Sequence, residues 1–283
     1  MENPKPFTLE VGQDRRLKGL VHSCSQPGPR PTVVICHGFK GFMEWGFFPS
    51  LAELLGDRGF TVVRFNFSGN GMQPGDERVT DLAAFATATF SQDLEDLQAL
   101  LSALGDSVAP GIVDHGKIGL FGHSRGGGTA ILAAALTDWR DKLEALVTWS
   151  AVSTFDRLDD VQKLAWRQKG STPMVNARTG QELPLDRIVL DDLEKRREEL
   201  DILAAASRRL APWLLIHGEQ DETVPVAEAR TLTERAAGKG VLLEIPATGH
   251  TFGATHPFAG PTPELIQALN ATQSWFRQHL IDT

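Results

Sequence analysis

A serine held between two glycines, at the joint of an apolar strand and a small-residue helix, constrains this chain more than any other feature. Gly122-His123-Ser124-Arg125-Gly126 follows an apolar run at 117–121 and precedes a helical pattern at 127–136. A strand that reverses sharply into a helix leaves no room for a Cβ on either flank and forces the central residue into strained φ/ψ, so both flanks call for glycine. The serine hydroxyl then projects at a helix N-terminus, where free N–H groups and the helix dipole favour negative charge developing on a bound carbonyl oxygen. In a chain with 27 glycines the pentapeptide alone is a weak signal. Its strand–turn–helix context is what carries the reading.

The same alternation runs the length of the chain. Residues 7–11 and 17–22 read as an opening antiparallel hairpin, and strands are expected at 32–36, 60–65, 117–121, 143–149, 213–216 and 241–245. Helical spacing covers 49–58, 82–104, 127–136, 188–206 and 262–280. Repeated strand–helix alternation predicts an α/β fold with a doubly wound, mostly parallel sheet. Length alone would allow two domains, but 41% hydrophobic and 23% charged residues describe one ordinary core, so residues 1–283 are expected to form a single domain. Between the strands ending near Trp149 and starting near Trp213 lie about sixty residues, more than one crossover helix needs. Residues 151–210 are therefore expected to form a cap over the strand ends, with a small hairpin at 174–183 and a helix at 188–206. The charge run from Asp191 to Asp201 reads as a solvated helix face.

Composition excludes several functions. A formal net charge of −8 without a basic patch disfavours nucleic acid and anionic membrane as partners. No segment has the roughly 20 apolar residues that span a bilayer, and the N-terminal residues lack the apolar core of a signal peptide, so a cytoplasmic location is expected. Cys24 and Cys36 are the only cysteines; Cys36 ends an apolar strand, and no disulfide framework is expected. No His/Cys cluster has ligand spacing, so no metal is expected.

In a doubly wound sheet, chemistry gathers at the carboxyl ends of the strands. After 32–36 comes His37-Gly38-Phe39-Lys40-Gly41, whose glycines let backbone N–H groups turn toward the serine. The N–H groups of Phe39 and Arg125 are the expected oxyanion donors. A serine hydroxyl is a poor nucleophile near neutral pH and needs a base, which in turn needs a carboxylate to fix its tautomer. After 213–216 comes His217-Gly218-Glu219-Gln220-Asp221, and after 241–245 comes Pro246-Ala247-Thr248-Gly249-His250. Ser124 as nucleophile, Asp221 as orienting acid and His250 as base thus occur in the chain order this turn demands. His256 is a competing base and Asp156 a competing acid. His22, His115, His123, His217 and His279 read as structural or surface residues. Lys40, Glu44 and Trp45 are candidates for the rim of a substrate pocket. Phe155, Trp166 and Met174 would either wall an acyl pocket or pack the cap on the core.

These motifs, together with Phe65-Asn66-Phe67-Ser68-Gly69-Asn70-Gly71, resemble the α/β-hydrolase superfamily from about Phe7 to Leu280, and within it a bacterial esterase and serine-aminopeptidase-like branch that includes cinnamoyl and feruloyl esterases. The resemblance implies a cofactor-free serine hydrolase acting through an acyl-enzyme. Dienelactone hydrolases share the fold but use cysteine and haloalkane dehalogenases use aspartate, so Ser124 argues against both. The expected activity is hydrolysis of small-molecule carboxylic esters with small to medium acyl groups. A peptidase or amidase and a thioesterase remain open with the same triad, as does a non-enzymatic binding protein on this fold. The sequence leaves the oligomeric state open.

Overall fold

The computed structural model describes residues 3–23, 28–208 and 211–282. Cys24 lies outside them. Eight strands form one sheet in the order β1-β2-β4-β3-β5-β6-β9-β10. β1 (Lys5–Glu10) and β2 (Arg16–His22) form the expected antiparallel hairpin, and β2 runs antiparallel to β4 (Thr61–Asn66). From β4 onward, β3 (Arg30–Cys36), β5 (Val113–His123), β6 (Leu143–Trp149), β9 (Trp213–Gly218) and β10 (Gly240–Ile245) all run parallel. Every residue of β4 and of β9 is buried. Strands covered on both faces need no polar alternation, which is why they appear as continuous apolar runs. β1 alternates because one of its faces meets water.

The helices form a layer on each face. α1 (Phe48–Asp57) and α10 (Pro263–Leu280) pack Leu51, Leu55, Leu265 and Phe276 against Val33, Phe121 and Val147. On the other face α3 (Phe90–Ala103), α4 (Arg125–Ala135) and α9 (Val226–Arg235) bring Leu94, Leu97, Ile131 and Leu232 onto Val34, Leu120 and Leu215. Parallel register then aligns the carboxyl ends at one edge: Cys36 pairs with Gly122, His123 with Trp149 and Trp149 with Ile216.

Two helix expectations are corrected. The pattern at 82–104 is split into α2 (Leu82–Ala86) and α3, and the chain then winds into a wider π turn over Leu104–Val108. At the split Thr89 Oγ1 accepts the Gln92 N–H at 3.1 Å and starts a new helix, while Gly69 passes so close that a Cβ there would lie 2.5 Å from that of Ala88. The pattern at 188–206 is likewise two helices, α7 (Arg187–Lys195) and α8 (Ile202–Ala206). Asp201 caps the second by accepting the Ala204 N–H at 2.9 Å. A side-chain cap inside an apolar period competes with helix continuation, and here the cap wins.

Between β6 and β9 the chain forms α6 (Asp160–Lys169), the hairpin β7 (Ser171–Val175) and β8 (Glu182–Asp186), then α7 and α8; α5 (Thr137–Arg140) precedes β6. The hairpin extends beyond the expected 174–183, pairing Ser171 with Asp186. Trp166, Leu183, Leu185, Val189 and Leu190 bury themselves against Phe42, Met72, Val79 and Phe85 of the neighbouring loops. Ile202, Ala205 and Ala206 of α8 belong instead to the main core. Among the described residues no helix is long and apolar enough to cross a membrane.

Candidate active site

Ser124 sits at φ 57°, ψ −121° between β5 and α4, and its strain is held from several sides. Its N–H donates to Trp149 O at 2.9 Å, and its carbonyl accepts from Gly127 N at 3.0 Å and Gly128 N at 3.2 Å. A Cβ on Gly122 would lie 2.4 Å from Gly126 O, and one on Gly126 would lie 2.3 Å from His37 O. Those distances are the physical content of the glycine requirement. Arg125 opens α4, so its N–H has no intrahelical partner. The loop after β3 turns tightly, with Gly41 N donating to Gly38 O at 3.0 Å and Lys40 at φ 59°. It presses on the elbow: a Cβ on Gly38 would stand 3.0 Å from Ser124 Cβ. Among the described residues neither the Phe39 nor the Arg125 backbone N–H enters an internal hydrogen bond.

Asp221 and His250 are joined. His250 Nδ1–H donates to Asp221 Oδ2 at 2.7 Å, while Asp221 Oδ1 accepts the N–H groups of Thr223 and Val224 at 2.9 Å each. The strand ends bring them there, since Gln220 N donates to Thr248 O at 2.9 Å and Gly218 lies too close to Thr248 O for a Cβ. Burial pushes the Asp221 carboxyl up, but donors from His217 and His250 outweigh it and hold the group well below the usual carboxylate range. The acid is therefore ionised. His217, read from the sequence as structural or surface, is buried against the pair: its Nε2–H donates to Val224 O at 2.8 Å and lies 3.3 Å from Asp221 Oδ2, a contact the sequence reading did not foresee. Its place four residues before Asp221, at the end of a buried strand, was the available signal.

Two further histidines hold the frame in neutral form. His123 donates its Nε2–H to His250 O at 3.0 Å, and the two rings lie 4.7 Å apart. Burial, with the neighbouring His250, pushes the His123 imidazole down to about 3. His37 donates from Nδ1 to Gly38 O at 2.9 Å and accepts the Phe67 N–H at Nε2, 3.2 Å away, with burial pushing it down to about 4. His123 thus links the serine turn to the His250 loop. No hydrogen bond joins Ser124 Oγ to His250 itself among the described residues.

The competing residues are engaged elsewhere. His256 uses both nitrogens, accepting the Gly46 N–H at 3.0 Å and donating to Glu77 Oε2 at 2.7 Å. Asp156 pairs with Lys163 at 2.6 Å on the exposed side of the insertion. Of the residues expected to contact substrate, Lys40 borders a compact pocket of about 30 Å³ with Phe39, Phe85, Ala88 and Arg125, and its Nζ donates to Val175 O at 3.1 Å. Trp45 stacks on His256 and meets Phe47 and Phe48 edge-on. Phe155 stacks on Phe90 at 4.5 Å. Trp166 donates its Nε1–H to Leu185 O at 3.0 Å inside the insertion's own cluster, which Met174 also joins. None of Trp45, Phe155, Trp166 and Met174 borders the compact pocket. A larger polar cavity of about 580 Å³, bordered by Lys18, Asn66, Gln73 and Gln92, meets that pocket at Phe67 and Asn70.

Comparison with known proteins adds to this geometry. A profile described as the alpha/beta hydrolase family matches residues 33–260. A monoacylglycerol lipase of Mycolicibacterium smegmatis is 24% identical over 284 residues, covering 89% of this chain and 90% of its own. YtmA of Bacillus subtilis, an uncharacterized peptidase, is 26% identical over 226 residues, covering 78% of this chain and 74% of its own. Est1E from Butyrivibrio proteoclasticus has the same fold at 18% identity, with a TM-score of 0.69 over 97% of this chain and 98% of that one. With its serine turn, its parallel sheet and a family match over most of its length, the chain belongs to the alpha/beta hydrolase family.

Proposed function

We propose that this protein is a serine hydrolase that cleaves carboxylic esters of small to medium acyl groups through an acyl-enzyme. The observation that carries the reading is the 2.7 Å bond between His250 Nδ1 and an ionised Asp221, in a frame tied by His123 to the strained Ser124. In this reading His250 Nε2 takes the Ser124 proton as Oγ attacks the ester carbonyl. Asp221 stabilises the resulting imidazolium and fixes its tautomer. The Phe39 and Arg125 N–H groups receive the negative charge on the tetrahedral oxygen. His250 then returns the proton to the leaving alcohol. In the second half a water, deprotonated by His250, attacks the acyl carbonyl; the proton returns to Ser124 Oγ and the acid departs.

The stretch from α6 to α7 acts as the cap, since Lys40 ties the oxyanion loop to Val175 of β7. The location that goes with this reading is the cytoplasm, with which the unpaired, buried thiol of Cys36 is compatible. Two measurements test the reading. A fluorophosphonate should label the wild-type protein and not Ser124→Ala. Acetyl and butyryl esters should give a higher kcat/KM than matched aminoacyl amides and thioesters; preference for the amides would replace the esterase reading with a peptidase one.

A further inference from the structure

The side chain of Arg125 does something that its backbone role does not require. Its guanidinium turns away from the serine into a buried site, where Nε donates to Asp93 Oδ2 at 2.7 Å and both side chains are about nine-tenths buried, at 10% and 7% exposure. Nη2 donates to Thr89 O at 3.1 Å and to Ala88 O at 3.4 Å, the residues that join α2 to α3. One face of the group lies over the Phe90 ring, 4.3 Å from its centroid. The Phe39 ring lies 5.5 Å away. Phe39 and Arg125 are the two residues whose backbone N–H groups face the reaction in the reading above. One guanidinium therefore touches both: it is the side chain of one donor residue and packs on the side chain of the other.

Burial pushes the Asp93 carboxyl up and Arg125 pulls it back down, so each group of the pair depends on the other. A buried pair of this kind is a poor source of stability, because the cost of desolvating two charges offsets most of their attraction. It is effective at fixing geometry. A planar fork can satisfy one carboxylate and two carbonyls at once while its face stacks on a ring, which an ammonium cannot do. Oxyanion donors act over a narrow distance range, and small misplacements are costly in rate.

We propose that the Arg125–Asp93 pair is a positioning element that sets the spacing of the two oxyanion donors, anchoring the Arg125 N–H through its own side chain and the Phe39 N–H through ring contact. It rests on the assignment of Ser124 as nucleophile. The decisive variant is the double substitution Arg125→Met with Asp93→Leu, which removes both buried charges together and leaves neither unpaired. It should still fold cooperatively, with a melting temperature lowered only modestly by the loss of the donor to the Thr89 and Ala88 carbonyls. With 4-nitrophenyl acetate its kcat should fall about 30- to 300-fold at a KM within about threefold of wild type, and phosphonylation of Ser124 by a small fluorophosphonate should slow in parallel. The pH dependence of kcat/KM should keep its midpoint, because the His250–Asp221 pair is untouched. Arg125→Lys provides the second reading: with its charge retained and its fork and stacking lost, kcat should fall about tenfold or more at constant KM.

An unchanged kcat in the folded double variant would make the pair merely structural and overturn the proposal. A rise in KM alone would overturn it too, by placing the guanidinium on the substrate. A shifted pH midpoint would do the same by placing its effect on the base. Phosphonate labelling that persists in Ser124→Ala would overturn the serine-hydrolase reading and this proposal together. Labelling confined to intact Ser124, with unimpaired Arg125 variants, would overturn this proposal alone.

Discussion

The serine turn and the β7–β8 hairpin both touch the loop after β3, and they are held by opposite means. The turn is fixed through backbone: Gly122, Gly126 and Gly38 approach their neighbours so closely that Cβ atoms would stand 2.4, 2.3 and 3.0 Å from the nearest atoms. The hairpin is fixed by side chains that reach across. Lys40 donates to Val175 O, Gln181 exchanges hydrogen bonds with both Val79 N and Val79 O, and Arg178 reaches Glu77. Gly180 at the hairpin's tip has nothing within 4 Å of its Cβ position. Close-packed backbone has one arrangement, whereas partly exposed ion pairs are individually worth about 1 kcal/mol or less and open readily. Side-chain contacts at the hairpin therefore have more alternatives than the backbone contacts at the serine turn, although Leu183 and Leu185 also anchor the hairpin in an apolar cluster.

The largest test of that contrast is Ser124→Ala, which should lower kcat by about 10⁴-fold or more with no loss of melting temperature; Asp221→Asn should approach it. Retained turnover in either would remove the stiff side's chemical purpose. The glycines give a matched pair. Gly126→Ala should lower stability by about 2–3 kcal/mol in denaturant unfolding and abolish turnover, because backbone oxygen cannot step aside. Gly180→Ala should cost about 1 kcal/mol, the left-handed strain alone at φ +67°, and leave kcat unchanged. Equal costs would erase the distinction.

A third test uses pH. His37 and His123 under the turn, with His22 at the end of β2, stay neutral in the fold, because burial above all pushes them down to about 4, 3 and 4. In the unfolded chain they take up protons below about 6.5. Their contribution is complete above that value and is lost as pH falls from 6.5 toward 4, at about 1.4 kcal/mol per pH unit for each net proton. Asp96 opposes them: burial pushes its carboxyl up to about 7, so the folded protein takes up that proton first. Glu44 and Asp93, also pushed up by burial, oppose them in the same sense, while His279, pushed down by burial, adds to the histidines. Measured against wild type, the melting temperature should fall less steeply from pH 6.5 to 4.5 in His123→Gln and more steeply in Asp96→Asn. A profile unchanged by His123→Gln would contradict the burial of that imidazole.

The smallest effect belongs to the hairpin side. His256 and Arg178 both pair with Glu77, so Glu77→Gln or His256→Ala should change kcat/KM by less than about tenfold, through KM more than kcat. A dead His256→Ala would make His256 the base and reverse the comparison.

Most of the frame was legible in the sequence. The strands at 143–149 and 241–245 and the helix after Thr262 show as local periodicity and local caps, and the serine turn shows as glycine spacing. These signals depend on a residue and its neighbours within a turn or two. The splits at Thr89 and Asp201 were written there as well, as cap residues, but an apolar period running through both masked them.

What the amino-acid order determined by itself is the doubly wound sheet and the placing of Ser124, Asp221 and His250 just after β5, β9 and β10, because steric limits on backbone and the burial of apolar runs act locally. Only the tertiary structure decided that His217 leans on Asp221, that His256 is spent on Glu77, that Trp166 closes the insertion's own cluster, and that the Arg125 guanidinium reaches Asp93 and Phe39. Each of these joins side chains from elements that meet only when the sheet closes its layers, and which partner a polar group finds depends on that packing, not on its neighbours along the chain.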